Sequence, residues 1–235
     1  ARKQLVKAGI RVLTGTTASK FSGDEKVQSV ATSAGVLPAD VVVLSVGVKP
    51  NTAFLNGTGL EMNRGTILVD SRMRTNLAHI YAAGDCAQVT NRLTGAGQWS
   101  PMGSSANLEA RVLAEDLAGG NKAFPGVLGT AVVKLLDNLN CGRTGLTEAA
   151  AKQAGFDPVT ALAVTDDKAH YYPGASTFVT KLIADRASRR LLGIQVFGAG
   201  AVDKMTDIAV TAISLKATVD DLESLDLAYA PPFST

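Results

Sequence analysis

Apolar and polar positions along this chain alternate on three different periods. Val41-Val42-Val43-Leu44-Ser45-Val46 is apolar at nearly every position and largely β-branched, the pattern of a strand covered on both faces and ending at Gly47. Around it, residues 1 to 53 read as a helix from Arg2 to Ala8 stopped by Gly9, then strands at Ile10–Leu13, Thr17–Phe21 and Val27–Thr32, with Asp24-Glu25 at a hairpin tip. Ser104 to Leu117 follows the helical period instead. Ala106, Ala110, Leu113 and Leu117 fall on one predicted apolar face, Glu109, Arg111, Glu115 and Asp116 fall away from it, and Gly119-Gly120 ends the helix. Between these regions Ile80-Tyr81-Ala82-Ala83 has the composition of a short buried strand, and a polar loop is expected from Asp85 through Gly97.

Residues 123 to 235 alternate differently. Strands are expected at Ala131–Leu136, Val159–Thr165, Thr177–Ala184 and Leu191–Val196, with helices from Thr147-Glu148 to Gly155, from Asp203 to Leu215 and in a short turn near Val219–Leu225. Strands grouped beside helices predict an α+β domain whose antiparallel sheet is covered on one face. The expected organisation is therefore α/β remnants of nucleotide-binding domains over 1–53 and 54–122, followed by this α+β domain.

Composition narrows the function classes. The 235 residues carry a net charge of +2, too little to imply nucleic acid. No apolar stretch approaches the ~18 residues of a membrane span, and no secretory signal opens the chain, so a soluble cytoplasmic protein with no membrane partner is expected. Arg186 and Arg189-Arg190 form the one basic cluster, read as a solvated hairpin turn. Two cysteines, Cys86 and Cys141, stand in neither C-x-x-C nor C-x4-C spacing, and only His79 and His170 are present. That spacing excludes a local redox dithiol and a cysteine zinc site, and no metal is expected. The opening at Ala1, inside a helix that completes a βα unit, reads as the carboxyl-terminal part of a longer protein.

The candidate chemistry begins at Gly84-Asp85. A buried strand running into glycine and a carboxylate would place an anionic acceptor at a sheet's carboxyl edge, where open α/β sheets bind ligands. Gly84 would admit a bulky ligand and Asp85 would accept from sugar-like hydroxyls; an ordinary turn explains the pair too. Neither of the two G-x-G-x-x-G turns that dinucleotide sites require is found in a strand–turn–helix setting. Gly198-Ala199-Gly200 precedes a helix, but Asp203 at the third glycine position would repel phosphate. Gly47 either lets a dinucleotide approach or serves only its turn.

Val69-Asp70-Ser71-Arg72-Met73-Arg74-Thr75-Asn76 together with Ile80–Asp85 resembles the second flavin-binding motif of the FAD-dependent pyridine nucleotide-disulfide oxidoreductases. Gly47-Val48-Lys49-Pro50-Asn51 is similar to the G-x-x-P-N turn that closes their nicotinamide domain. Leu225 to Ser234, with Tyr229-Ala230-Pro231-Pro232, resembles the end of the dimerisation domain in the coenzyme A-disulfide reductase and NADH oxidase branch. The resemblance implies FAD held by Asp85, with Pro101, Met102, Gly103 and Ala106 lining the flavin by similarity to a W-x-P-L-A segment. It implies that 1–53 belongs to an NAD(P)H domain, 54–122 to an FAD domain and 123–235 to a homodimerisation domain. Tyr229 and Tyr171 (or Tyr172) match tyrosines that reach across the dimer toward a disulfide. A phenol of pKa ~10 stays protonated at neutral pH and could donate to a departing sulfur; a purely interfacial role for these tyrosines stays open, and in a hairpin, alternation would bury one of Tyr171 and Tyr172. No H-P-T-x-x-E motif is present, so a His–Glu relay is not expected. The activity implied is NAD(P)H- and FAD-dependent reduction of coenzyme A disulfide, persulfide or polysulfide by way of a cysteine outside this chain. The alternatives are an NADH oxidase or peroxidase and, for the chain by itself, an inactive dimerisation module.

Overall fold

The computed structural model describes residues 2–234, in two compact units, Ala1–Lys49 and Pro50–Thr235. In the first, α1 (Arg2–Lys7) ends at Gly9, whose φ of +82° reverses the chain while the Ile10 N–H bonds back to the Leu5 carbonyl at 3.0 Å. β1 (Ala18–Ser22), β2 (Ser29–Thr32) and β3 (Gly35–Pro38) form an antiparallel meander with Asp24-Glu25 at its first tip, as expected; β3 was not anticipated.

Two expected strands are absent. Ile10–Leu13 and Val41–Val46 have no ladder, and Val43 and Val46 are 84% and 91% exposed. Strand propensity needs a neighbour whose N–H and C=O groups complete the pairing. The only sheet of this unit among the described residues is the β1–β3 meander, and it does not extend to these segments.

The second unit contains two sheets. β4 (Met62–Asn63), β5 (Thr66–Leu68), β6 (Ala87–Thr90) and β7 (Gly97–Trp99) lie in sequence order, with β5 and β6 parallel. β6 lies within what was expected to be a polar loop, and β7 begins where that loop was expected to end. α2 (Gly103–Leu117) forms as expected and stops at Gly119, φ +83°. Its buried face differs from the prediction: Ser105, Glu109, Val112 and Asp116 are buried, while Ala110 and Leu117 are exposed. Three of those four are polar, and each has a partner that offsets its desolvation. Ser105 shares a 2.8 Å hydrogen bond with buried Ser100.

The larger sheet has the order β10-β11-β12-β9-β8, antiparallel throughout: β8 (Ala131–Leu136), β9 (Leu139–Gly145), β10 (Pro158–Asp166), β11 (Thr177–Asp185) and β12 (Leu191–Gly198). Four of the five were anticipated; β9, with four glycine, asparagine or arginine positions among seven residues, was not. β12 is buried at six of eight positions and forms the sheet's centre. α3 (Glu148–Gln153) opens on the Thr147 hydroxyl, which accepts from the Ala150 N–H at 3.2 Å. α4 (Val202–Ser214) lays Val202, Thr206, Ala209 and Ile213, one helical stripe, on the sheet beside Leu191, Ile194 and Val196. The approach is close enough that a Cβ on Gly142 of β9 would stand 2.7 Å from Val202 Cγ1. α5 (Val219–Glu223) is opened by a capping box between Thr218 and Asp221. The Arg186–Arg189 turn is exposed, but two of its charges are paired, Arg186 with Asp157 at 2.8 Å and Arg189 with Asp220, while Arg190 is half-buried.

Candidate functional site

Gly84–Cys86 is a single 3-10 turn entered from extended backbone at Ala83. The expected strand at Ile80–Ala83 is reduced to one antiparallel bridge between Tyr81 and Arg74, flanked by the Thr75 N–H to Ile80 carbonyl bond at 3.0 Å and the Ala82 N–H to Met73 carbonyl bond at 3.1 Å. Ala82 is buried and Ile80 is 42% exposed. One partner strand makes a hairpin edge, not a doubly covered strand.

What holds this segment is α2. Asp116, buried in the last turns of the helix, takes a fork from Arg74 (Nε at 2.7 Å, Nη2 at 2.6 Å) and a 3.2 Å bond from the Tyr81 hydroxyl. The Arg74 guanidinium holds the Asp116 carboxyl below the usual carboxylate range. About two helical turns nearer the start, Glu109 is 2% exposed, and its Oε2 accepts the Gly84 N–H at 2.6 Å. Burial pushes the Glu109 pKa up, the Gly84 N–H draws it back, and the Asp85 charge adds to the rise. Gly84 has φ +81°, the left-handed conformation that favours glycine, and its Cα faces Ala106, whose Cβ would stand in ordinary contact, 3.5 Å, with an added Cβ. The Asp85 carbonyl accepts from Trp99 Nε1–H at 2.8 Å. Its carboxylate is exposed and takes part in none of the side-chain hydrogen bonds or ion pairs described here.

Gly84, Asp85 and Ala106 are thus brought together, with Pro101, Met102 and Gly103 where β7 runs into α2. Met102 caps the helix without a side-chain hydrogen bond, leaving the first N–H groups of α2 open. An exposed carboxylate for hydroxyls beside an open helix N-terminus is a donor and acceptor set that fits the sugar-alcohol and ring carbonyl of a flavin. The largest cavity described, about 460 Å³, lies elsewhere, between Leu108 and Arg111 of α2 and Asp207 and Val210 of α4. Gly47, with φ +100°, belongs to the first unit.

The tyrosines come together in the second unit. Tyr171 stands in the β10–β11 connection and Tyr229 in the segment after α5, yet the two phenols lie close enough that Tyr229 raises the Tyr171 pKa above the usual phenol value. His170 meets the Tyr171 ring edge-on at 5.5 Å between centroids. Both tyrosines are exposed, at 67% and 63%, and Tyr172 at 36% is not buried either. The expected alternation fails here because these residues occupy a turn, not a strand. A cavity of about 270 Å³ beside them is lined by Tyr229, Phe233, Ala201, Lys204, Ala228 and Ala230. Cys86 and Cys141 are both free thiols.

Sequence reasoning missed Glu109 and Asp116 because it assigned them to solvent. The available signal was their spacing of seven, which puts both on one face of a helix.

Among the described residues no helix is long and apolar enough to cross a membrane. Two family models match the chain: pyridine nucleotide-disulphide oxidoreductase over residues 1–102, and the dimerisation domain of the same family over 135–235. A Pyrococcus horikoshii protein named NAD(P)H coenzyme A polysulfide/persulfide reductase is 38% identical over 216 residues, 92% of this chain and 48% of that protein. A Methanocaldococcus jannaschii NADH oxidase is 33% identical over 99% of this chain and 52% of its own length. The solved structure of an NAD-dependent persulfide reductase from A. fulgidus superposes with a TM-score of 0.91 at 41% identity, covering 99% of this chain and 43% of that one. The chain spans about half the length of the curated relatives it matches. It belongs to the pyridine nucleotide-disulphide oxidoreductase family.

Proposed function

We propose that this chain works within a homodimeric, cytoplasmic FAD flavoprotein that uses NAD(P)H to reduce a small sulfur substrate: coenzyme A disulfide, a persulfide or a polysulfide. Residues 1–53 would contribute to the NAD(P)H domain, with Gly47 at the cofactor's approach, 54–122 to the FAD domain and 123–235 to dimerisation. Asp85 would accept the ribityl hydroxyls, and Gly103 and Ala106 would face the flavin with Pro101 and Met102. When bound, FAD supplies a hydride acceptor that can pass an electron pair to sulfur. The chain's own residues orient that group at Asp85 and present protons at the tyrosines.

The observation that carries the sulfur assignment is the approach of Tyr171 and Tyr229, two phenols far apart in sequence, close enough that Tyr229 raises the Tyr171 pKa. A phenol held protonated can donate to a thiolate as it leaves, and its neighbour can hold it in place. Pro231 and Pro232 remove two N–H groups and stiffen the loop that presents Tyr229. The adjoining cavity, apolar apart from Lys204 and the phenol, suits one arm of a small anionic thiol.

The test is turnover by the complete protein with NADH or NADPH against coenzyme A disulfide, polysulfide, dioxygen and peroxide. Replacing Tyr229 with Phe is expected to lower kcat for the sulfur acceptors by about 10²-fold, the low end for a positioned acid. Unchanged disulfide turnover in that variant would remove the tyrosine argument. Faster turnover with dioxygen than with any sulfur acceptor would favour the second reading, an NADH oxidase, which the Methanocaldococcus relative keeps in view.

A further inference from the structure

Asp85 owes its position to contacts that its carboxylate does not make. The peptide group that enters Gly84 is held by Glu109 of α2, whose Oε2 accepts the Gly84 N–H at 2.6 Å. The peptide group after it is held by Trp99 of β7, whose Nε1–H donates to the Asp85 carbonyl at 2.8 Å. These side chains come from two different elements, the end of β7 and the middle of α2, and bracket the Gly84-Asp85 pair. Glu109 is almost wholly buried, and the Gly84 N–H is the one hydrogen-bond partner described for it. A carboxylate placed in the interior to accept one turn N–H is a costly arrangement. The bonding described for the turn engages its backbone and leaves the Asp85 side chain outside it.

We propose that Glu109 and Trp99 are positioning residues that clamp the Gly84-Asp85 turn, holding the Asp85 carboxylate ready for the hydroxyls of FAD. The inference rests on the FAD reading above. Its physical content is preorganisation: a carboxylate already held in its bound geometry loses less freedom when the ligand arrives. Neither residue needs to touch the cofactor.

The test is FAD dissociation from the complete protein, stripped of flavin and titrated, with the thermal midpoint of the apoprotein as the measure of folding. Trp99→Phe keeps an aromatic ring but loses the N–H together with part of the indole's bulk. It is expected to weaken FAD about 3–10-fold, the worth of one hydrogen bond, with the apoprotein midpoint unchanged. Glu109→Ala is expected to weaken FAD about 10–100-fold, as for a hydrogen bond to a charged group, and Glu109→Gln, which still offers an oxygen to Gly84, to recover most of that loss. Asp85→Ala serves as the reference. If Asp85→Ala loses FAD while Trp99→Phe and Glu109→Ala bind it like the unaltered protein, the clamp is wrong and the FAD reading stands. If Asp85→Ala or the unaltered protein shows no dependence of flavin binding on this turn, the FAD assignment at Asp85 falls, and the clamp falls with it.

Discussion

The segment from Asp70 to Leu117 and the sheet of β8–β12 bury their surfaces in opposite ways. The sheet does it with hydrocarbon: Leu191 is 1% exposed and Ile194 3%, under a helix stripe of Val202, Ala209 and Ile213, while Ile183, 0% exposed, packs with Leu146, Ala151 and Leu192. α2 does it with polar groups, each answered by a specific partner: Ser105 by Ser100, Glu109 by the Gly84 N–H, Asp116 by Arg74 and Tyr81. An apolar interface tolerates small shifts at a graded cost, because dispersion and burial have no direction. A paired polar interface holds one geometry and loses it at once when a partner goes. The candidate cofactor turn is attached to the second kind. The sheet, whose job is to carry Tyr171 and support α4, needs only the first.

This contrast can be broken by substitution. The largest effect is expected in the sheet, where Ile183→Ala removes a fully buried side chain and should cost about 2–5 kcal/mol by denaturant unfolding. A loss much below that range would mean the sheet's core collapses around the gap. Next, Glu109→Ala should cost about 1–3 kcal/mol, because the Gly84 N–H is left buried without an acceptor. If the variant unfolds like the parent, water already serves that N–H, and polar pairing is not what holds α2.

The two regions should also answer to pH with opposite sign. Glu109 has a folded pKa above 4.5, raised mainly by burial, so its contribution is fully present below 4.5 and is lost as pH rises through the folded value. Glu148, on the sheet side, bonds Lys152 and Lys181 at 2.8 Å each, which draw its pKa from 4.5 to about 2. Its contribution is present above 4.5 and lost as pH falls toward about 2. Thermal midpoints of Glu109→Gln and Glu148→Gln, followed across that range against the unaltered protein, should therefore diverge in opposite directions. Parallel curves would sink the distinction. The smallest effect belongs to the first unit: Val43→Ala, on an 84% exposed side chain, should change stability by no more than about 0.5 kcal/mol. A core-sized loss would show that this valine is covered in the complete protein.

Legibility followed the same division. β11 and β12, together with α3 and α4, could be read because apolar runs and helical spacing there reflect burial, with Thr147 and Gly155 marking the ends of α3; β8 and β10, largely exposed, were legible from strand propensity, and α5 from its cap. β9 escaped, since Asn140, Gly142 and Arg143 break the pattern and Gly142 is small for the sake of α4. The face of α2 was read a third of a turn away from where it lies, because hydrophobicity could not register Glu109 and Asp116 as interior. At the candidate site, the resemblance singled out Asp85, Tyr171 and Tyr229; nothing in the linear order paired the two tyrosines or placed Trp99 against the Asp85 carbonyl.

Local chemistry alone therefore determined where helices stop and which runs favour extended backbone. Tertiary structure decided the rest: whether Val41–Val46 finds an edge to pair with, which face of α2 turns inward, and which distant groups meet. The reason is physical. Propensity and capping act within a few residues, whereas a ladder or a buried carboxylate needs its partner delivered from elsewhere in the chain.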